Sequence, residues 1–196
     1  HRYTVATTFS LCIARVEAAS PVSANLLRLC AFFSPELIPR LIFEKRGDAL
    51  DGPRTDSVFG TQGLGAALRA LRQYSLIRSD DAFLSVHKLV QAVAIDRMVI
   101  GERDRWLRSA AESIVDWLPS DQANAENWPI YSMLLSHLQT IGDHAVRYGC
   151  GAAHIIGMIN WAGLFLKQLG AHKLAESNFR AALGLCEGSH EAKPVE

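Results

Sequence analysis

The stretch "LRQYSLIRSDDAFLSVHKLVQAVAIDRM" (71–98) decides how the chain is read. Up to Leu71 the apolar residues recur at helical spacing, with Leu64, Ala67, Leu68 and Leu71 on one face. From Ser75 the period changes. "SLIRSDDAFLSV" (75–86) alternates around Asp80-Asp81, the pattern of two short strands and a turn. "HKLVQAVAIDRM" (87–98) then returns to helix, with Leu89, Val90, Val93, Ala94 and Met98 expected inward. His87 stands at that strand–helix junction.

Upstream, Val5, Phe9, Cys12 and Val16 mark one buried stripe of a first helix. Ser20 and Pro21 are an N-cap and first-turn pair that opens a second. Its "ANLLRLCAFF" (24–33) is apolar nearly all round, as a helix at the centre of its domain would be. "SPELIPRLIFEK" (34–45) reads as a short helix, and residues 46–63, rich in Gly, Asp and Ser, as a loop. Helices, a β-hairpin and a further helix make a winged-helix-like order over residues 4–100. A helical connector follows over 101–150. One helix there carries Trp106, Ala110, Ile114 and Leu118 and ends at Pro119; another, over 128–148, carries Tyr131, Leu134, Leu138 and Ile141.

Residues 151–196 are more specific. "IIGMINWAGLFLKQLGAHKLAESNFRAALGLCE" (155–187) fits the tetratricopeptide pattern of two antiparallel helices. Gly163 is the small residue at a close crossing, Leu166 takes the aromatic position three residues on, and Gly170 ends the first helix. Ala175, Phe179 and Ala182 alternate small and large along the second. Ile159, Ala162 and Glu187 depart from the pattern, where Trp, Leu and Pro are usual. One such repeat cannot bury its own face, and arrays need about three, so further repeats are expected beyond Glu196. The fold class expected is therefore mainly α: a winged-helix-like domain with a small hairpin, a connector, and the start of an α-solenoid.

Composition narrows the function. Twenty basic side chains balance 20 acidic ones in 196 residues, which argues against a nucleic-acid surface built on bulk charge. Cys12, Cys30, Cys150 and Cys186 are far apart, as buried thiols of a reducing compartment would be. "GCGAAHIIGMINWAGLFL" (149–166) lacks formal charge, but its four glycines, His154 and Asn160 speak against a membrane span. The chain starts mid-pattern at His1 with no signal-type segment, and it reads as a piece of something longer.

No active-site pattern is present. The dipeptide Gly-Lys never occurs, so there is no P-loop. "GTQGLG" (60–65) has no strand before it and reads as a loop entering a helix. His137 and His144 are two helical turns apart, roughly 10 Å, too far to share a metal. Cys186 and His190 lack further ligands. Lys88 and Arg97 stand against Asp96 on the helix a winged helix would lay in DNA, and two acids at the wing turn would repel phosphates.

With these elements in hand the chain resembles the STAND-class signalling ATPases of NB-ARC type that carry C-terminal tetratricopeptide repeats. Residues 4–18 and 22–38 look like the start of that family's winged-helix part, and 71–98 resembles its hydrophobic-His-Asp signature. The resemblance implies that His87, preceded by Val86, reaches the β-phosphate of ADP held by an upstream P-loop domain; Lys88 stands where the family often has Asp. It implies no cofactor in this chain itself and ADP/ATP in the parent. It further implies a cytoplasmic signal-transduction switch whose repeats bind a protein trigger and whose winged helix relays the event to nucleotide exchange and oligomerisation. Two other readings stand beside it: a nucleotide-independent tetratricopeptide scaffold, and a winged-helix DNA-binding regulator. For His87 the plain alternative is a residue that starts a helix and packs under the wing.

Overall fold

Ser20 decides how the first two helices meet. Its extended backbone (φ −153°, ψ 93°) breaks the helical run, and its side chain accepts from the Ser23 N–H at 3.3 Å. One residue thus closes α1 (Val5–Ala19) and caps α2 (Pro21–Cys30), with Pro21 in the first turn, where its missing N–H costs nothing. The computed structural model describes residues 4–44, 61–118 and 124–191. Two compact units are present, His1–Ser109 and Ala110–Glu196, and the division falls inside a helix.

In the first unit α2 is central, packed by α1, α4 (Thr61–Gln73) and α5 (Lys88–Asp96). Its Leu26, Leu27, Leu29 and Cys30, with Phe32 and Phe33 beyond, are buried. That is the outcome expected of a helix apolar on every side. Burial pushes the Cys30 thiol far up, so it stays protonated. The α1 stripe is narrower than the spacing predicts: Ile13 and Val16 are buried, Phe9 and Cys12 half-buried, and Val5 exposed. On α4 Leu64, Ala67, Leu68 and Leu71 all face inward, and the helix begins at Thr61 rather than Leu64. Residues 46–60 of the expected loop lie outside the described residues.

The segment read as one short helix (34–45) behaves differently. Leu37 adopts φ 57°, the chain extends through β1 (Ile38–Pro39), and only α3 (Leu41–Glu44) is helical. Pro39 disfavours a helical conformation at Ile38 and cannot donate to a ladder, which suits it to an edge. β1 pairs antiparallel with β3 (Phe83–Ser85), opposing Ile38 to Leu84, and β2 (Arg78–Ser79) pairs with the other side of β3. The expected hairpin is therefore the half of a three-stranded sheet, β1-β3-β2, that is local in sequence.

Asp80 shapes the hairpin turn. Its carboxylate accepts from the N–H of Phe83 (2.7 Å) and Ala82 (2.8 Å), while the Arg40 guanidinium donates to its carbonyl at 2.9 Å. Those two backbone donors, Phe83 first, hold the carboxyl below the usual carboxylate range, with Arg40 assisting. The ionised form favours the folded turn, so its contribution is present above the ordinary carboxylate value and lost as pH falls through the depressed one. The Ala82 and Phe83 amide resonances should titrate below the normal Asp range. A midpoint at the normal value would show that the bonds do not persist in solution.

α6 (Ile100–Val115) crosses the unit division and buries Trp106, Leu107, Ala110, Ala111 and Ile114, while Leu118 lies in the turn beyond it. Pro119 is outside the described residues. In the second unit, a 3-10 turn (Ala125–Asn127) leads into α7 (Trp128–Tyr148), whose Tyr131, Leu134, Leu138 and Ile141 are buried as the spacing predicts. α7 packs against α8. Gly142 passes Ile159 so closely that an added Cβ would lie 3.2 Å from its Cγ1. The Tyr131 ring meets Trp161 (4.6 Å) and Phe165 (5.1 Å) edge-on.

α8 (Ala153–Gln168) and α9 (His172–Glu191) fold back on each other, the chain turning at Gly170 with φ 76°. Their crossing is tight. A Cβ at Gly163 would lie 2.6 Å from the Phe179 ring. Leu166, Ala175 and Ala182 are buried and Phe179 half-buried. At 16 residues α8 is short for a membrane span, and among the described residues no helix is long and apolar enough to cross a membrane.

Candidate functional site

The first unit places His87 in the wall of a groove. Val86, fully buried, donates its N–H to the Pro35 carbonyl at 2.8 Å and fixes the strand end. One residue on, His87 takes φ −58°, ψ 136° and becomes the N-cap of α5. Its Nδ1 accepts from the Leu89 N–H at 3.1 Å, a role more often filled by Ser, Thr, Asp or Asn. A neutral imidazole that accepts at Nδ1 carries its proton on Nε2. The exposed side chain therefore caps its helix with one nitrogen and keeps a donor on the other.

The groove has a volume of about 480 Å3 and runs from Phe9 and Pro35 past Leu76 to His87. Arg78 and Lys88 add two cations and Glu36 one acid. Neither cation is paired with an acid among the described residues. With the first-turn N–H groups of α5, this wall favours an anion.

Two features set the position of α5, and neither was read from the sequence. Gln91, expected on no particular face, is buried, and its amide donates to the carbonyls of Cys30 (3.0 Å) and Phe33 (2.9 Å). It satisfies the end of α2 from across the core. At the other end Arg97 donates to Ser10 and pairs with Glu17, whose second oxygen takes Arg28 at 2.9 Å. Arg97, counted above among the cations that could meet DNA, is thus engaged within the unit. On α5 itself Val90, Ala94 and Met98 are buried as expected and so is Ile95, while Leu89 and Val93 are half-buried.

The cysteines and the remaining histidines lie as follows. Among the described residues all four cysteines are free, Cys30 and Cys150 buried and Cys12 and Cys186 half-buried. No group of three His, Cys, Asp or Glu side chains could hold a metal among the described residues. The His190 side chain lies outside them. His137 is fully buried; His144 stacks on Tyr148 at 5.8 Å, and burial, with Arg147 nearby, lowers its basicity.

The class of protein is thus a mainly helical chain, with a small three-stranded antiparallel sheet in one unit and a helical hairpin in the other. The family model described as "Domain of unknown function (DUF7779)" matches residues 14–103, from within α1 into α6. That span includes His87, Gln91 and the groove wall from Pro35 onward. No curated protein and no solved structure matches the chain.

Proposed function

We propose that this chain is the regulatory segment of a nucleotide-switched signalling ATPase of the STAND class. In this reading residues 4–100 are its winged-helix part, 101–150 the helical connector, and 151–196 the first tetratricopeptide repeat. The observation that carries the reading is the placement of His87: Nδ1 is committed to the α5 cap, and the residue lines a groove with Arg78 and Lys88. In the resting parent protein its Nε2–H meets the β-phosphate of ADP held by an upstream P-loop domain. The α5 N-terminus supports the contact. Lys88, where the resembled family often has Asp, leaves the position free of an acid that would oppose a phosphate. A protein trigger bound by the repeats shifts the winged helix and releases ADP, a coupling between two sites.

His87→Ala in the full-length parent should speed ADP release by about tenfold or more, the loss of one charge-assisted hydrogen bond. His87→Asn keeps a capping acceptor but not the reach, so it should release ADP as readily. An ADP off-rate unchanged in both variants rules out the sensor role. Fast release in His87→Ala alone assigns His87 to capping only.

The nucleotide-independent scaffold keeps one observation in its favour. Leu174 and Leu183 are exposed on α9, and Leu183 borders a cleft of about 300 Å3 with Lys167, Phe179 and Arg180. Signalling that persists when the parent cannot bind nucleotide would favour it.

A further inference from the structure

Beside the hairpin turn, and sharing no lining residue with the His87 groove, a second cleft of about 220 Å3 is bordered by Arg40, Arg69 and Arg72. Three arginines line it from two elements. Arg40 comes from the β1–α3 junction, where its N–H donates to the Ala82 carbonyl and its side chain to that of Asp80, both at 2.9 Å. Its Nε is enclosed and has no hydrogen-bond partner. Arg69 and Arg72 lie one turn apart on α4 and so share a face. Arg69 is laid back beside Gly65, its Nη1 3.6 Å from where a Cβ would stand, an ordinary van der Waals contact.

Two acids face the same cleft, Asp80 and Asp81. Asp80 is already engaged by the backbone N–H groups of Ala82 and Phe83. Asp81 is exposed at the turn. Neither Arg69 nor Arg72 is ion-paired among the described residues. The cleft therefore holds three permanent cations against two carboxylates, one of them occupied by the turn.

We infer that this cleft binds a single tetrahedral oxyanion of phosphate type, free or as a small monoester. A carboxylate is satisfied by one guanidinium fork, whereas donors converging from several guanidinium groups match an acceptor with oxygens on several sides. At about 220 Å3 the cleft has room for one such group. The inference does not rest on the His87 reading.

The test is a heteronuclear NMR titration of the 196-residue chain with sodium phosphate, against sodium chloride at matched ionic strength. The arginine Nε–H and the Gly65 and Asp81 amide resonances are followed. Phosphate should shift them saturably and chloride should not. Arg72→Gln and Arg69→Gln should each weaken binding by about fivefold, a contact in a partly solvated site, and Asp81→Asn should tighten it about twofold. O-phospho-L-serine is the second arm: binding as tight as phosphate or tighter assigns a monoester, weaker binding the free ion. Shifts that stay linear and match those of chloride overturn the site. So does unchanged affinity in both arginine variants, weaker binding in Asp81→Asn, or a response to duplex DNA without one to phosphate.

Discussion

Gly163→Leu is expected to open the α8–α9 hairpin, at a cost of about 3 kcal/mol or more. The first added carbon alone would lie 2.6 Å and 2.9 Å from two atoms of the Phe179 ring. Leu adds three further carbons in the same direction, while Leu166, Ala175 and Ala182 are already buried around the crossing. Gly163→Ala is the milder probe, because the roughly 1 kcal/mol gained in helix propensity offsets part of the clash. Phe179→Ala should partly rescue Gly163→Leu, giving a coupling of about 1–3 kcal/mol in the double-mutant cycle. Hydrogen exchange resolved by peptide reads the second unit separately from the first. Additive effects of the two substitutions would mean that Gly163 and Phe179 do not meet in solution.

Gln91→Leu should lower the stability of the first unit by about 2–3 kcal/mol, although Leu is the more apolar residue and the position is buried. The change removes the Gln91 amide from the Cys30 and Phe33 carbonyls; the Cys30 carbonyl keeps the Phe33 N–H at 3.3 Å, but the buried hydrogen bonds that tie α5 to the end of α2 are lost. Gln91→Glu should be worse at neutral pH, because a carboxylate facing two carbonyls can only accept. Acid should narrow the gap between the two variants, since a protonated carboxyl regains one donor. The readout is amide protection in α2 and α5. Gln91→Leu with wild-type protection would show that the two carbonyls find other partners. For the proposed switch, loss of Gln91 should also weaken ADP retention in the parent protein indirectly, because α5 carries His87 at its start.

Local signals located most elements because each was written in contiguous residues. Ser20-Pro21 announced a helix boundary, the Asp80-Asp81 turn a hairpin, and Gly163 with Phe179 a close crossing. Each depends on backbone preference or short-range spacing, which a sequence states directly. The misreadings share a different cause. Residues 34–45 look helical by apolar content, but β1 exists because Ile38 meets Leu84, whose pairing is non-local. Val5 matches the α1 stripe in period, yet among the described residues nothing packs over the first turn of that helix closely enough to bury it. Period reveals which residues share a face, not how far the neighbouring element extends.

The same division holds at the site. Sequence alone determined that the chain has no P-loop, that His87 stands between a strand and a helix, and that its net charge is balanced. The tertiary structure decided what those residues can do. It set Nδ1 of His87 against the Leu89 amide and placed the residue in the wall of the groove, because the cap geometry is fixed by how β3 runs into α5. It buried Gln91 against carbonyls some 60 positions away in the chain, and it engaged Arg97 with Glu17. It also gathered Arg40, Arg69 and Arg72 beside a turn whose acids, in sequence, seemed to forbid an anion. Burial, hydrogen-bond partnership and local charge are sums over residues distant in the chain. Only folding performs them.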